Sequence, residues 1–186
     1  MNFDVFLSKL GARDRLNIER HLAICAAEPD SHHAKLWQRL IAHVAELAPL
    51  PAQTIGQQAV LFFIADGKYK MQVFAVEDGR DGNVQLYLPD VLDQAIRARV
   101  LGRAKEDGEG VVTYPIASDK QHTLRIDAMD ARNTPNPPNH FKNMLGWNRK
   151  ALRVTLPNNA GATQIEAAEA LCELAAQKWA KAALQT

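Results

Sequence analysis

Histidine and cysteine are the side chains most able to do chemistry in this sequence, and they are unevenly spread. Of six histidines, His21, His32, His33 and His43 fall in the first fifty residues, together with Cys25. Cys25, Glu28, Asp30, His32 and His33 put five ligand-capable side chains within nine positions, around what reads as a turn between two helices. A metal site needs three or four such groups converging on one point, and H-E-x-x-H or a C-x-x-C pair would announce it; neither spacing occurs. His32 and His43 return to nearly the same helical face, but at 1.5 Å per residue they lie about 16 Å apart and cannot share an ion. The tip therefore reads as a solvated helix hairpin, with no metal and no cofactor expected.

Other reactive patterns are equally sparse. Ser8, Ser31 and Ser118 are the only serines, and no G-x-S-x-G elbow surrounds any of them. Ser118 lies near His122 in a hairpin loop, where serine usually shapes the turn. The one G-x-G, Gly108-Glu-Gly110, precedes a strand and is flanked by Glu106, Asp107 and Glu109, a poor cradle for phosphate. Asp-Gly pairs begin at Asp66, Asp78, Asp81 and Asp107. Around Asp78 and Asp81 the calcium-loop register fails and the closing glutamate is missing, so these read as turn residues.

Charge adds a second region of interest. The 22 basic and 21 acidic residues leave a formal charge of +1, which argues against a dedicated nucleic-acid binder. Residues 111–156, however, carry seven basic and three acidic side chains. Lys142, Arg149, Lys150 and Arg153 flank His140, Phe141 and Trp147, just beyond the proline-rich stretch 133–139. A site for an anionic small molecule or an acidic protein partner is expected there, built from His140, Phe141, Lys142, Trp147, Arg149, Arg153 and Arg125. Phe141 or Trp147 would stack on a ring or base. The competing expectation makes both aromatics core anchors and the arginines a solvated strand face. Arg97, Arg99 and Arg103 read as cations toward the C-terminus of a helix over 90–102.

The elements that must position these groups follow from periodicity. At 186 residues and 47% apolar, the chain fits one domain, 1–186. Residues 1–50 read as a helical hairpin: Leu16, Leu22 and Cys25 continue one apolar face, and Leu36, Trp37, Leu40, Ile41, Val44 and Leu47 form the other. The α+β body, 54–186, opens with a three-stranded meander over 58–88 that turns at Asp66-Gly67 and across 77–83. The helix over 90–102, a strand pair over 111–128, a last strand over 151–156 and a long alanine-rich helix over 163–184 complete it. The last helix presents Ile165, Ala168, Leu171, Cys172, Ala175 and Trp179 on one face. The expected fold is α+β, with an N-terminal helical hairpin, a mainly antiparallel five- to six-stranded sheet and a long C-terminal helix.

No signal-peptide core opens the chain, and the longest apolar run, residues 59–65, is far shorter than the roughly 20 residues of a bilayer-spanning helix. With two well-separated cysteines expected as buried thiols, a cytoplasmic protein without a membrane segment is predicted. The amphipathic helical units suit self-packing. The leading functional expectation is thus a non-enzymatic binding module that self-associates, plausibly as a homodimer. The alternative is an enzyme or sensor for an anionic ligand near the 133–153 loop, and a weaker one is nucleic-acid binding.

Overall fold

The structure, a computed structural model, describes residues 1–27, 32–48, 50–66, 69–79, 82–90, 92–109, 111–130 and 150–183. Three helices open the chain: α1 (Phe3–Ser8), α2 (Ala12–Ala26) and α3 (His32–Leu47). Asn2 caps α1 by accepting from the Asp4 amide, and Arg15 reaches back from α2 to the Leu7 carbonyl at 3.1 Å. On α3 the buried stripe is His33, Leu36, Trp37, Leu40, Ile41, Val44 and Ala45, the expected one begun a turn earlier, with Leu47 at its end only partly buried. On α2 the buried positions are Ile18, His21 and Cys25, while Leu16 stays 45% exposed. The expected face is thus rotated: spacing i, i+3, i+7 aligns Ile18 with the two ligand-type residues, and Leu16 falls outside that arc.

Eight strands follow in one antiparallel sheet: β1 (Leu50–Ile55), β2 (Ala59–Asp66), β3 (Tyr69–Asp78), β4 (Val84–Pro89), β5 (Lys105–Glu106), β6 (Val112–Pro115), β7 (Thr123–Asp130) and β8 (Lys150–Leu156). Their spatial order is β1-β2-β3-β4-β8-β7-β6-β5. The α+β class and the β2-β3-β4 meander match the sequence reading, but the count exceeds five or six because β1 and β5 were not anticipated. β1 hides behind Pro51, which removes a ladder donor and confines the segment to an edge. That edge is partly closed from outside, since Asp14 of α2 accepts from the Thr54 amide at 2.9 Å. β5, at two residues, is too short to leave a periodic signal.

The helix expected over 90–102 shrinks to one turn, α4 (Gln94–Arg97), capped by Asp93 rather than Asp90. Arg97 folds back to the Leu92 carbonyl and to Asp90, both at 2.7 Å. The following backbone then bonds sideways to the β6 end, Gly102 to the Pro115 carbonyl and Ala117 to that of Val100. Those cross-links replace helical bonds, so Arg99 and Arg103 lie beyond the helix whose C-terminus they were expected to flank.

The last element, α5 (Ala162–Ala183), packs beside α3 on the same side of the sheet. Arg39 of α3 grips Glu169 of α5 with two bonds of 2.7 and 2.8 Å, and this hydrogen bonding raises the guanidinium pKa above its ordinary value. Between helices and sheet lies the main core, whose largest wholly buried members include Trp37, Phe62, Phe74, Leu86 and Leu88. Full burial of each such side chain contributes about 1.5–3 kcal/mol. A smaller cluster of Leu61, Ala75, Tyr87, Met129 and Ala151 occupies the opposite face. Among the described residues no helix is long and apolar enough to cross a membrane.

Candidate metal centre

The inward faces of α2, α3 and β3 meet at one polar point. His21 and Cys25 are i and i+4 on α2, neighbours on one helical face. His33 lies in the first turn of α3. Asp78 ends β3, and alternation puts it on the same face as Phe74 and Val76, which belong to the main core. The sheet therefore delivers a carboxylate to the inner face beside two buried histidines, and Asp78 is only 2% exposed.

The four side chains converge through single atoms. His21 Nε2 lies 2.6 Å from Asp78 Oδ2, and Cys25 Sγ lies 3.5 Å from His21 Nε2 and 3.7 Å from Asp78 Oδ2. His33 Nε2 approaches along the Cys25–Asp78 edge, 3.6 Å from Sγ and 3.5 Å from Oδ2. Around one zinc, ligand atoms bound at about 2.0–2.3 Å stand about 3.3–3.7 Å apart. Four of these five separations fall in that range, whereas His33 does not join the three donors that lie within 4.8 Å of one another. The fifth is a hydrogen bond, which an ion would replace with two bonds to itself. His21, Cys25 and Asp78 form the tightest trio, their donor atoms all within 4.8 Å of one another.

Charge and satisfaction point the same way. Asp78 Oδ1 is buried without a hydrogen-bond partner in the described structure. A desolvated carboxylate with a bare oxygen is costly unless a cation compensates it. A divalent ion with one thiolate, one carboxylate and two neutral imidazoles makes a centre of zero net charge, suited to burial. Trp37 steadies the assembly, its ring meeting that of His21 edge-on at 4.9 Å between centroids.

The same residues could be read as a nucleophilic Cys-His-Asp triad, but the geometry opposes it. A triad uses both ring nitrogens, one facing the nucleophile and the other the carboxylate. Here both contacts of His21 end on Nε2, and so do both of His33. Convergence on one nitrogen is what ligation of a common ion requires.

The centre forms one wall of a cavity of about 330 Å³, completed by Ile24, Gln57, Gln58, Gly79 and Gly82. A larger cleft of about 1000 Å³ lies beside α4, lined by Leu92, Arg97, Leu101, Arg103 and Tyr114 among others. Volume does not decide between them, because a binding site is marked by convergent polar groups. In the larger cleft Arg97 is already committed to Asp90 and the Leu92 carbonyl.

Of the residues expected from sequence to bind a ligand, His140, Phe141, Lys142, Trp147 and Arg149 lie outside the described residues. Arg153 and Arg125 are brought together on the far face of the sheet, both against Asp127, at 2.7 and 3.4 Å. Burial opposes the Arg153 charge, and the hydrogen bond and attraction of Asp127 outweigh it, so its pKa stands above the ordinary value. In the hairpin-tip cluster, Glu28 and Asp30 are outside the described residues and His32 is exposed, whereas Cys25 and His33 turn inward. His21 and Asp78 were missed as ligands. His21 could have been found by pairing it with Cys25 at i, i+4; for Asp78, taken as a turn residue, no local signal existed. His122, considered with Ser118, instead pairs with Asp119 at 2.8 Å. The two cysteines are buried and not disulfide-bonded. Complete burial drives the Cys172 thiol far above its ordinary pKa, leaving it an inert core group.

No family model matches the chain, and neither a curated protein nor a solved structure does.

Proposed function

We propose that this protein binds a zinc-class divalent ion through His21, Cys25 and Asp78, with His33 beside them, and that the ion ties α2 to the end of β3. The observation that carries this reading is the meeting of three ligand-type atoms from α2 and β3 at one buried point, with His33 at its side and a carboxylate oxygen that has no hydrogen-bond partner beside it. Mixed sulfur, nitrogen and oxygen donors suit zinc, which has no electronic preference of geometry and tolerates such sets.

The test is titration of chelator-treated protein with Zn²⁺ by calorimetry. One ion per chain is expected, with affinity falling at least a hundredfold in Cys25→Ser and in Asp78→Asn. Absence of stoichiometric binding, or equal binding in both variants, would overturn the reading.

A second reading, self-association, has its own motive. Val5, Leu16 and Ile24 on α1 and α2 are 46%, 45% and 54% exposed, large apolar side chains that a second copy would cover. Light scattering behind size exclusion checks it, and a mass of 20.6 kDa at micromolar concentration would refute it.

A further inference from the structure

The four groups of the centre are not equivalent. His21, Cys25 and Asp78 make the compact trio, and their residues are 4%, 3% and 2% exposed. His33 stands at the side of it, against Cys25 and Asp78, and at 9% it is the most exposed of the four. Three protein ligands plus one exchangeable position is the arrangement of zinc sites that handle a ligand, whereas structural sites have four fixed ligands.

The surroundings suit an incoming molecule. The cavity beside the centre, about 330 Å³, is at the small end of the range for ligand sites. Among the described residues, its lining apart from the centre and Ile24 is the amides Gln57 and Gln58 and the two glycines Gly79 and Gly82. Gly82, at a φ of 75°, sits in the left-handed region that favours glycine and closes the β3–β4 turn, its amide bonded to the Gly79 carbonyl. Gln57 and Gln58 place carboxamide groups in the cavity lining beside the centre. A ligand that offers one oxygen to the ion and an N–H or O–H next to that oxygen would meet both the ion and these amide acceptors.

Building on the metal reading above, we infer that the ion keeps one exchangeable position on the cavity side, contested between His33 and a small acyl ligand. The chemical class is an oxygen donor with an adjacent N–H or O–H, of which a hydroxamic acid is the simplest example. Acetate, which has the oxygens but no donor, is the poorer ligand.

Cobalt-loaded protein tests this, because the d–d bands report coordination and the thiolate-to-cobalt band reports that Cys25 still holds the ion. Acetohydroxamate should shift the d–d bands saturably, at least tenfold more tightly than acetate, with the thiolate band retained. His33→Ala should keep cobalt to within tenfold and bind acetohydroxamate more tightly, by a factor of three or more. Unchanged d–d bands at saturating acetohydroxamate, loss of the thiolate band on its addition, or loss of cobalt in His33→Ala would each overturn the exchangeable position and leave metal binding standing. If no thiolate-to-cobalt band forms at all, the metal reading itself fails and this inference falls with it.

Discussion

Two acidic side chains on opposite faces of one sheet meet opposite fates. Asp127 on β7 faces Arg153 across the ladder and has Arg125 nearby, so its negative charge is met by cations of the chain itself. Asp78 on β3 is more deeply buried, faces two histidines and a thiol, and keeps one oxygen without a partner. The first cluster satisfies itself. The second gathers imidazole, thiol and carboxylate donors at one buried point, where an unpartnered oxygen is costly. A group of charged residues is therefore a weak sign of a binding site when its members neutralise one another. A smaller group that cannot do so is a stronger sign.

The comparison can be broken most directly by metal. At a thousandfold excess over its dissociation constant, Zn²⁺ should stabilise the fold by about 4 kcal/mol, or about 8–16 °C for a chain of this size, and a chelator should reverse it. Differential scanning calorimetry measures the shift, and an unchanged midpoint would place Asp78 on the same footing as Asp127. Next in size is the contrast between the two carboxylates: at the same zinc concentration Asp78→Asn should cut the zinc-dependent shift to about a third or less, whereas Asp127→Asn should leave it whole.

A smaller effect is expected at Gly56, whose turn carries Gln57 and Gln58 into the cavity wall. Its φ of 62° lies in the left-handed region, and an added Cβ would meet nothing within 4 Å. Gly56→Ala should cost about 1–2 kcal/mol in urea unfolding through backbone strain alone, with zinc stoichiometry unchanged. The smallest effect belongs to the self-satisfied face. A double-mutant cycle of Asp127→Asn with Arg153→Gln should give a coupling of at most about 1 kcal/mol, reduced further at high salt, because both side chains reach solvent. A larger coupling would mean that the far face is less screened than its exposure implies.

Much of the fold was legible along the chain. The α3 stripe, the β2-β3-β4 meander and the α5 helix all rest on local periodicity, which survives folding because each element buries one face. What was misread had a competing local signal. Pro51 masked an edge strand, and the apolar pattern over 92–100 promised a helix that the Gly102–Pro115 and Val100–Ala117 backbone bonds cut short. The candidate centre was only half legible. Cys25 and His33 stood out as ligand types near the turn between α2 and α3, yet their nearest sequence neighbours drew attention outward to Glu28, Asp30 and His32. His21 had the right spacing from Cys25, but Leu16 and Leu22 suggested a helical face that passed it by.

By itself the sequence determined most of the helices and strands, the antiparallel α+β class, and that no long apolar helix would be made. These depend on propensity and on periods of 3.6 and 2, properties of neighbours in the chain. Tertiary structure alone decided that β8 would insert between β4 and β7, and that the end of β3 would lie beneath the α2–α3 pair. The contact between Cys25 and Asp78 spans 53 positions. No local pattern specifies it, because it follows from how the helices settle on the twisted sheet to bury Trp37, Phe62, Phe74 and their neighbours. The Asp-Gly pair at 78 thus puts a buried candidate ligand at the end of β3, and only packing distinguishes that aspartate from the exposed one at 107.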